Sequence, residues 1–360
     1  MHLMIVMAAV LFACGSAPDL EPASAGRLEL VAGRTGGASV TPGDTQITSP
    51  FGVAFDDRGT LYFVEMLGHR VRKIGRDGLV TTLAGTGREG NGGDAGLAIR
   101  AEFNGPHSLA VTTSGDIYVA DTWNNRVRKI DGRSGVITVV AGTGRKGFSG
   151  DGGPAIEADF GGIYCIALDE GGQTIDLADL DNRRVRRVNL RTGIVATVAG
   201  NGNKGVPSDG DDAHSAPLVD PRAVALDGHG SLYILERGGH ALRVVDRSGK
   251  IRTVAGTGKA GNAGDGGDAR RATLNQPKHL CVDAAGNVLI ADSENHRIRI
   301  YRPDDGTIHG LAGNGRKGSS GIGGPPGEAE LDQPHGVTVG PGGMIYISDS
   351  NNNRILRIAR

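Results

Sequence analysis

Apolar and polar residues alternate along most of this chain in short runs separated by glycine-bearing turns, and the runs fall into sets of four. In one set, Pro106 to Val111 and Asp116 to Asp121 flank the turn Thr112-Thr113-Ser114-Gly115 and predict an antiparallel hairpin. Arg126 to Ile130 and Val136 to Ala141 then supply a third and a fourth strand. The set recurs six times, starting at Pro50, Pro106, Ile163, Pro221, Pro277 and Pro334, with spacings of 56, 57, 58, 56 and 57 residues. Four strands per copy with no long helix predict an all-β propeller of six four-stranded antiparallel blades, one closed unit over 27–360.

The two ends of that unit are expected to meet. The sixth copy has its third strand at Arg354 to Ala359 and no fourth, while Leu28-Glu29-Leu30-Val31-Ala32-Gly33 matches fourth-strand ends such as Val139-Val140-Ala141-Gly142. Pairing this segment into the last blade would remove an exposed edge and lock the ring. Ahead of it, Leu3 to Ala13 is an apolar run too short to span a bilayer and leads into Leu11-Phe12-Ala13-Cys14-Gly15. That stretch resembles the lipobox of bacterial lipoproteins, although no Lys or Arg precedes the run and Phe12 is bulky. The expectation is a signal peptide over 1–13, lipidation at Cys14, a tether over 14–26, and a place in the cell envelope or outside the cell. The other two thiols, Cys165 and Cys281, fall in the first strands of different copies and read as buried, unpaired residues.

Ala120-Asp121-Thr122-Trp123-Asn124-Asn125-Arg126-Val127 and Ala291-Asp292-Ser293-Glu294-Asn295-His296-Arg297-Ile298 resemble NHL repeats, a resemblance that covers Leu28 to Arg360 and implies a six-bladed β-propeller. Residues that repeat from copy to copy are read as architecture. Arg70, Arg126, Arg184, Arg297 and Arg354 are expected to lace neighbouring copies through carboxylates such as Asp121 or Asp292, the fourth copy having Ala241 instead. The GxGxxG runs at 85–90, 142–147 and 256–261 join two strands and not a strand to a helix, so they do not read as dinucleotide sites. Asp94, Asp151 and Asp265 sit in successive loops and raise a calcium alternative, as does Asp209-Gly210-Asp211-Asp212, the one loop that gathers several carboxylates. The competing reading is a short helical turn at Pro154 to Ala158 that packs on the rim. His69, His240 and His296 read as exposed turn residues.

Function is therefore sought where the copies differ. The first strand of each blade lines the channel, so the second residue of each copy should form a ring at the channel mouth: Phe51, His107, Tyr164, Arg222, Lys278 and His335. Two cations, two imidazoles and two aromatics suit a small anionic or carbohydrate ligand. Pro106-His107-Ser108-Leu109 and Pro334-His335-Gly336-Val337 also resemble segments of the peptidyl-hydroxyglycine amidating lyases, related propellers in which His from alternate blades hold zinc. That resemblance makes His107 and His335 metal candidates, but Arg222 stands where a third ligand would be. Glu65 and Glu236 replace the Asp of the other copies and are considered as an acid and base pair. The net charge of -1 supplies no global field for nucleic acid or membrane, and with the export signal it argues against the RNA binding known for some NHL propellers. The reading is an extracytoplasmic binding or scaffolding module for an unknown protein or small ligand, with no cofactor and with membrane contact only through a lipid anchor. The alternative is a metal-dependent lyase or hydrolase at the channel mouth.

Overall fold

The computed structural model describes residues 26–35, 38–39 and 46–359; the expected signal segment and Cys14 lie outside them, as does all of the tether but Gly26. Six antiparallel sheets follow one another in chain order around a central channel. Blade 1 comprises Pro50–Phe55, Leu61–Glu65, Arg70–Ile74 and Val80–Ala84, and blade 2 Pro106–Val111, Ile117–Asp121, Arg126–Ile130 and Ile137–Ala141. Blade 3 comprises Ile163–Leu168, Thr174–Asp179, Arg184–Asn189 and Val195–Ala199, and blade 4 Pro221–Leu226, Leu232–Glu236, Ala241–Val245 and Lys250–Ala255. Blade 5 comprises His279–Val282, Val288–Asp292, Arg297–Arg302 and Thr307–Ala312. Blade 6 takes Pro334–Val339, Ile345–Asp349 and Arg354–Ala359 from the end of the chain and its outer strand, Arg27–Thr35, from the beginning. The register sets Leu28 against Ile358 and Leu30 against Leu356, so the expected closure is present.

Burial explains why the strands stack as blades. Val64, Val119, Leu177, Ile234, Ile290 and Ile347, each in a second strand, are fully or almost fully buried against neighbouring blades. The repeated polar residues act as bolts between these apolar layers. Asp121 accepts the Asn104 backbone N–H at 2.8 Å and the Asn124 side-chain amide at 2.8 Å, and that same amide donates to Gly90 O at 2.8 Å. Asp179 with Asn182, Asp292 with Asn295 and Asp349 with Asn352 repeat the arrangement.

The arginine lacing takes a different form from the one expected. Where Asp121 and Asp292 are concerned, the partner is the arginine two residues further along: Arg128 and Arg299, both fully buried, reach them at 3.5 and 3.4 Å. Arg128 also pins the loop entering its blade through Asp94 and the Gly92 and Glu102 carbonyls. Arg186 does this through Asp151 and Arg299 through Asp265. The first arginine mainly holds the loop that leaves the blade, as Arg126 does on Thr143 O and Arg184 on Asn201 O. Blade 6 has Leu356 at the second position, and there Arg354 bonds Asp349 itself. The loop aspartates considered for calcium are thus already engaged by buried guanidinium groups. Asp209, in the remaining loop, accepts the Thr253 backbone N–H and pairs with Arg270. Three-residue helical turns do occur in the rim loops, as at Ala155–Glu157.

Candidate functional site

The residue that precedes each third strand takes the left-handed conformation: His69, Asn125, Arg183, His240, His296 and Asn353 have φ between 46° and 53°. The histidines among them are half-buried and not exposed as expected. The Nδ1 atoms of His69, His240 and His296 accept the backbone N–H of Gly105, Gln276 and Gln333 in the next blade at 3.2 to 3.3 Å. Of these three donors, Gly105 and Gln333 sit immediately before the next first strand and Gln276 three residues before it, so blade-to-blade hydrogen bonds fix the entry to the channel mouth. Five of the six first strands, all but that of blade 5, also carry a register shift at their starts, between Pro106 and Ser108 for example, which sets the second residue apart from the regular ladder.

The six second-position residues do come together. The Phe51 ring stacks on His335 with centroids 4.1 Å apart and meets His107 edge-on at 4.9 Å. His107 meets Tyr164 at 4.9 Å, and the Arg222 guanidinium lies 4.6 Å from the Tyr164 ring centroid. Lys278 completes the circle through Glu294 at 3.1 Å and the Gln333 side-chain carbonyl at 3.4 Å. The ring caps a central cavity of about 320 Å³ that the first strands enclose further along the channel.

The electrostatics of this ring are unusual for so neutral a chain. Arg222 is only 4% exposed, its one hydrogen bond goes to Tyr164 O at 3.3 Å, and it has no ion pair among the described residues. Burial lowers its pKa to about 10, with the nearby Arg237 charge adding to the effect and the Asp220 carboxylate, beyond ion-pair distance, opposing it, so it remains a cation at neutral pH. Burial likewise lowers Lys278, against the pull of Glu294. Burial, then the Arg222 charge, holds His107 at about 3; burial, then Lys278 and Arg222, holds His335 well below the ordinary imidazole range. Both imidazoles are neutral. Each donates its Nδ1–H to a backbone carbonyl, His107 to Gly105 O at 2.6 Å and His335 to Gln333 O at 2.7 Å. That contact fixes the tautomer and leaves Nε2 as the acceptor on each ring.

Two features around the mouth were not legible as site residues in the sequence. A cleft of about 290 Å³ opens beside the ring between blades 3 and 4, lined by Asp181, Arg183, Lys204, Asp220 and Arg237. Arg237 is paired with Asp220 at 2.9 Å, while Arg183 and Lys204 have no ion pair among the described residues. In blade 2, Trp123 is 46% exposed and its indole meets His107 edge-on at 5.7 Å. Gly105, at φ +55°, has no side chain because Trp123 lies where one would start. Their one trace in the sequence is that both lie at loop positions that change from copy to copy, which gives the side chains no direction.

The donor set does not suit a zinc ion. His107 and His335 flank the Phe51 ring, two cations adjoin them, and no group of three His, Cys, Asp or Glu able to hold a metal occurs among the described residues. Neither do Glu65 and Glu236 form an acid and base pair. Each is buried in its own blade, Glu65 on Arg72 at 3.2 Å and the Thr48 N–H at 2.8 Å, and Glu236 on Arg243 at 2.7 Å and the Val219 N–H at 2.6 Å. Cys165 and Cys281 are free thiols whose pKa burial raises.

Comparison with known proteins agrees with the repeat. The NHL repeat family model matches residues 103–130, 274–301 and 331–358, and the teneurin NHL domain model matches 155–262. NHL repeat-containing protein 2 of Bos taurus is 28% identical over 319 residues, covering 80% of this chain and 43% of the relative. The chain thus spans less than half the length of that relative. A structural genomics protein of unknown function from Bacteroides thetaiotaomicron superposes with a TM-score of 0.69 at 20% identity, covering 93% of this chain and 76% of the other. An auxiliary nutrient binding protein from the same organism superposes with a TM-score of 0.68 at 16% identity, covering 92% and 76%. At such identities the superpositions speak for the fold alone. With the matched repeats and the closed ring of six blades, they establish this chain as an NHL-repeat six-bladed β-propeller protein.

Proposed function

We propose that this propeller is a binding module that takes a small anionic ligand at the channel mouth, with the cleft between blades 3 and 4 as part of the same surface. The observation that carries the reading is Arg222: a buried guanidinium with no carboxylate partner among the described residues and one hydrogen bond, on a backbone carbonyl. A guanidinium offers five N–H donors in a planar fork that matches a carboxylate or phosphate. Burying such a group without a counter-charge is costly, and a bound anion would offset that cost. Arg183 and Lys204 add positive charge in the cleft, in a chain whose net charge is -1, while the charge of Lys278 is offset by Glu294 at 3.1 Å. The similarity to an auxiliary nutrient binding protein is consistent with a binding role. We place the module in the cell envelope, held through Cys14, on the strength of the apolar run Leu3 to Ala13 and the lipobox-like residues that follow.

The lyase alternative has two imidazoles at the mouth but, among the described residues, no third ligand beside them. A thermal-shift screen of small carboxylates, phosphates and sulfates tests the binding reading, with Arg222→Ala and Lys278→Ala as controls. Stabilisation that disappears in Arg222→Ala is the expected result; hits indifferent to both substitutions would overturn it.

A further inference from the structure

The mouth presents more than positive charge, and its other groups narrow the ligand. This step rests on the anion-site reading above. An anion alone would be served by Arg222 and Lys278 with any neutral wall behind them. Instead the wall contains two imidazoles, from blades 2 and 6, held in the same way. Each spends its Nδ1–H on a backbone carbonyl two residues earlier, at 2.6 Å for His107 and 2.7 Å for His335. The remaining atom on each ring, Nε2, has no hydrogen-bond partner among the described residues and is not among the polar atoms sealed from solvent without one. A neutral Nε2 can only accept a hydrogen bond. The arrangement therefore asks for donors on the ligand, as well as for a negative group to meet the guanidinium.

The edges of the mouth add a third requirement. Trp123 stands half-exposed beside His107, and the partly exposed Tyr164 ring lies on the other side of that imidazole. Aromatic faces and edges of this kind pack well on a flat ring that is apolar on one side and polar at its rim. An acidic functional group, hydroxyl donors around the periphery and a stackable ring occur together in an acidic sugar.

We infer that the channel mouth binds an acidic sugar: its carboxylate on Arg222, its hydroxyls donating to Nε2 of His107 and His335, and its ring against Trp123. The basic cleft between blades 3 and 4 continues the site away from the mouth, so the sugar can be a free sugar acid or one unit of an acidic polysaccharide.

Titration calorimetry on the full chain separates the parts of this claim. Glucuronate carries the acid and the hydroxyls, glucose only the hydroxyls, and cyclohexanecarboxylate only the acid on a ring of similar size. Glucuronate is expected to bind at least tenfold more tightly than either. His335→Phe, or His107→Phe where the first does not fold, should remove most of that advantage over cyclohexanecarboxylate and leave binding of the latter in place. Tighter binding of a short uronic-acid oligomer than of glucuronate assigns the site to a polymer, and equal binding assigns it to the free acid. Cyclohexanecarboxylate binding as tightly as glucuronate, in an Arg222-dependent way, would overturn the sugar assignment and leave the anion site standing. If no anion in the wider screen bound either, the anion site would fall with it.

Discussion

Blades 1 and 4 break the Asp-x-x-Asn pattern, and the structure turns that exception into a quantitative test. In blade 4 the carboxylate of Glu236, fully buried, accepts the Val219 N–H at 2.6 Å and two N–H groups of Arg243 at 2.9 and 2.7 Å. Where the other blades place Asn, blade 4 has Gly239, and a Cβ there would lie 2.6 Å from Glu236 Oε2 and 2.8 Å from its Cβ. The longer acid and the missing side chain are thus one exchange. Glu236→Asp alone withdraws the carboxylate by one methylene and forfeits a charged hydrogen bond, a loss of about 1.5 to 3 kcal/mol. Gly239→Asn alone forces a side chain into occupied space, at about 1 to 3 kcal/mol. Made together, the two substitutions reproduce the arrangement in which Asn124 donates to Asp121 at 2.8 Å, and the double variant should lie within about 1 kcal/mol of the parent. Urea unfolding followed by circular dichroism gives the three free energies, provided the m-value is unchanged. A coupling of about 2 kcal/mol or more is expected. Penalties that simply add would refute the exchange, and with it the assignment of Glu236 as a bolt and not a reactive group. Blade 1 offers an independent repeat of the experiment, since a Cβ on Gly68 would come within 2.8 Å of both Cβ and Oε2 of Glu65.

Two further outcomes follow from the same structure. His107 is neutral in the fold with a pKa of about 3, against about 6.5 in the unfolded chain, so the unfolded chain binds the extra proton between those values. Its contribution is fully present above pH 6.5 and is lost as the pH falls towards 3, by about 5 kcal/mol at most. Asp121, Asp179 and Asp292, which burial pushes up to about 6, act in the opposite sense below that pH, so the comparison must be made between variants. His107→Phe should lose less stability than the parent on acidification from pH 6.5, as read by denaturant midpoints; parallel curves would refute the buried neutral imidazole. Leu28, fully buried in the closing strand, should cost about 2 to 5 kcal/mol when changed to Ala, with one cooperative transition retained. A separate early transition for blade 6 would show that closure does not tie the ring together.

The architecture was legible because a period of 56 to 58 residues leaves few alternatives, and because Leu28 to Gly33 spells a fourth strand that the sixth copy lacks. The convergence of Phe51, His107, Tyr164, Arg222, Lys278 and His335 followed from their common place in the repeat. The identity of the lacing arginine did not, although the signal was present. Arg72, Arg128, Arg186, Arg243 and Arg299 recur in copies one to five, including the fourth, where Ala241 replaces the more conspicuous residue. An alternating strand puts both positions on the same side, and only the incoming loop decides which of them reaches the carboxylate. Trp123 and the cleft of Arg183, Lys204 and Arg237 escaped for a related reason. A loop side chain takes its direction from the incoming loop it packs on, here the bare Gly105 and the loop ending at Asp220, which sequence spacing does not encode.

The structure also gives a physical reason why repeated and variable positions divide as they do. Each Asp bolt is satisfied by two or more hydrogen bonds from its own blade and its incoming loop, so replacing it leaves buried partners unpaired. Five of the six ring residues make side-chain contacts mainly with one another, and among the described residues the Lys278 ammonium ties to Glu294 and Gln333. Substituting one of them disturbs the mouth without removing a bolt. Lys278→Met therefore preserves the stem that packs beside the channel, and its effect on stability should stay within about 1 kcal/mol, because the ion pair it removes is partly offset by relief of burial of the ammonium. Asp292→Ala, on the second strand of the same blade, should cost several times more, since it strands the Asn275 N–H, leaves the Asn295 amide with Gly261 O alone, and leaves the buried Arg299 with Asp265 as its one remaining carboxylate. Equal losses for the two would mean that the ring is part of the scaffold and that its variation among the six copies carries no functional information.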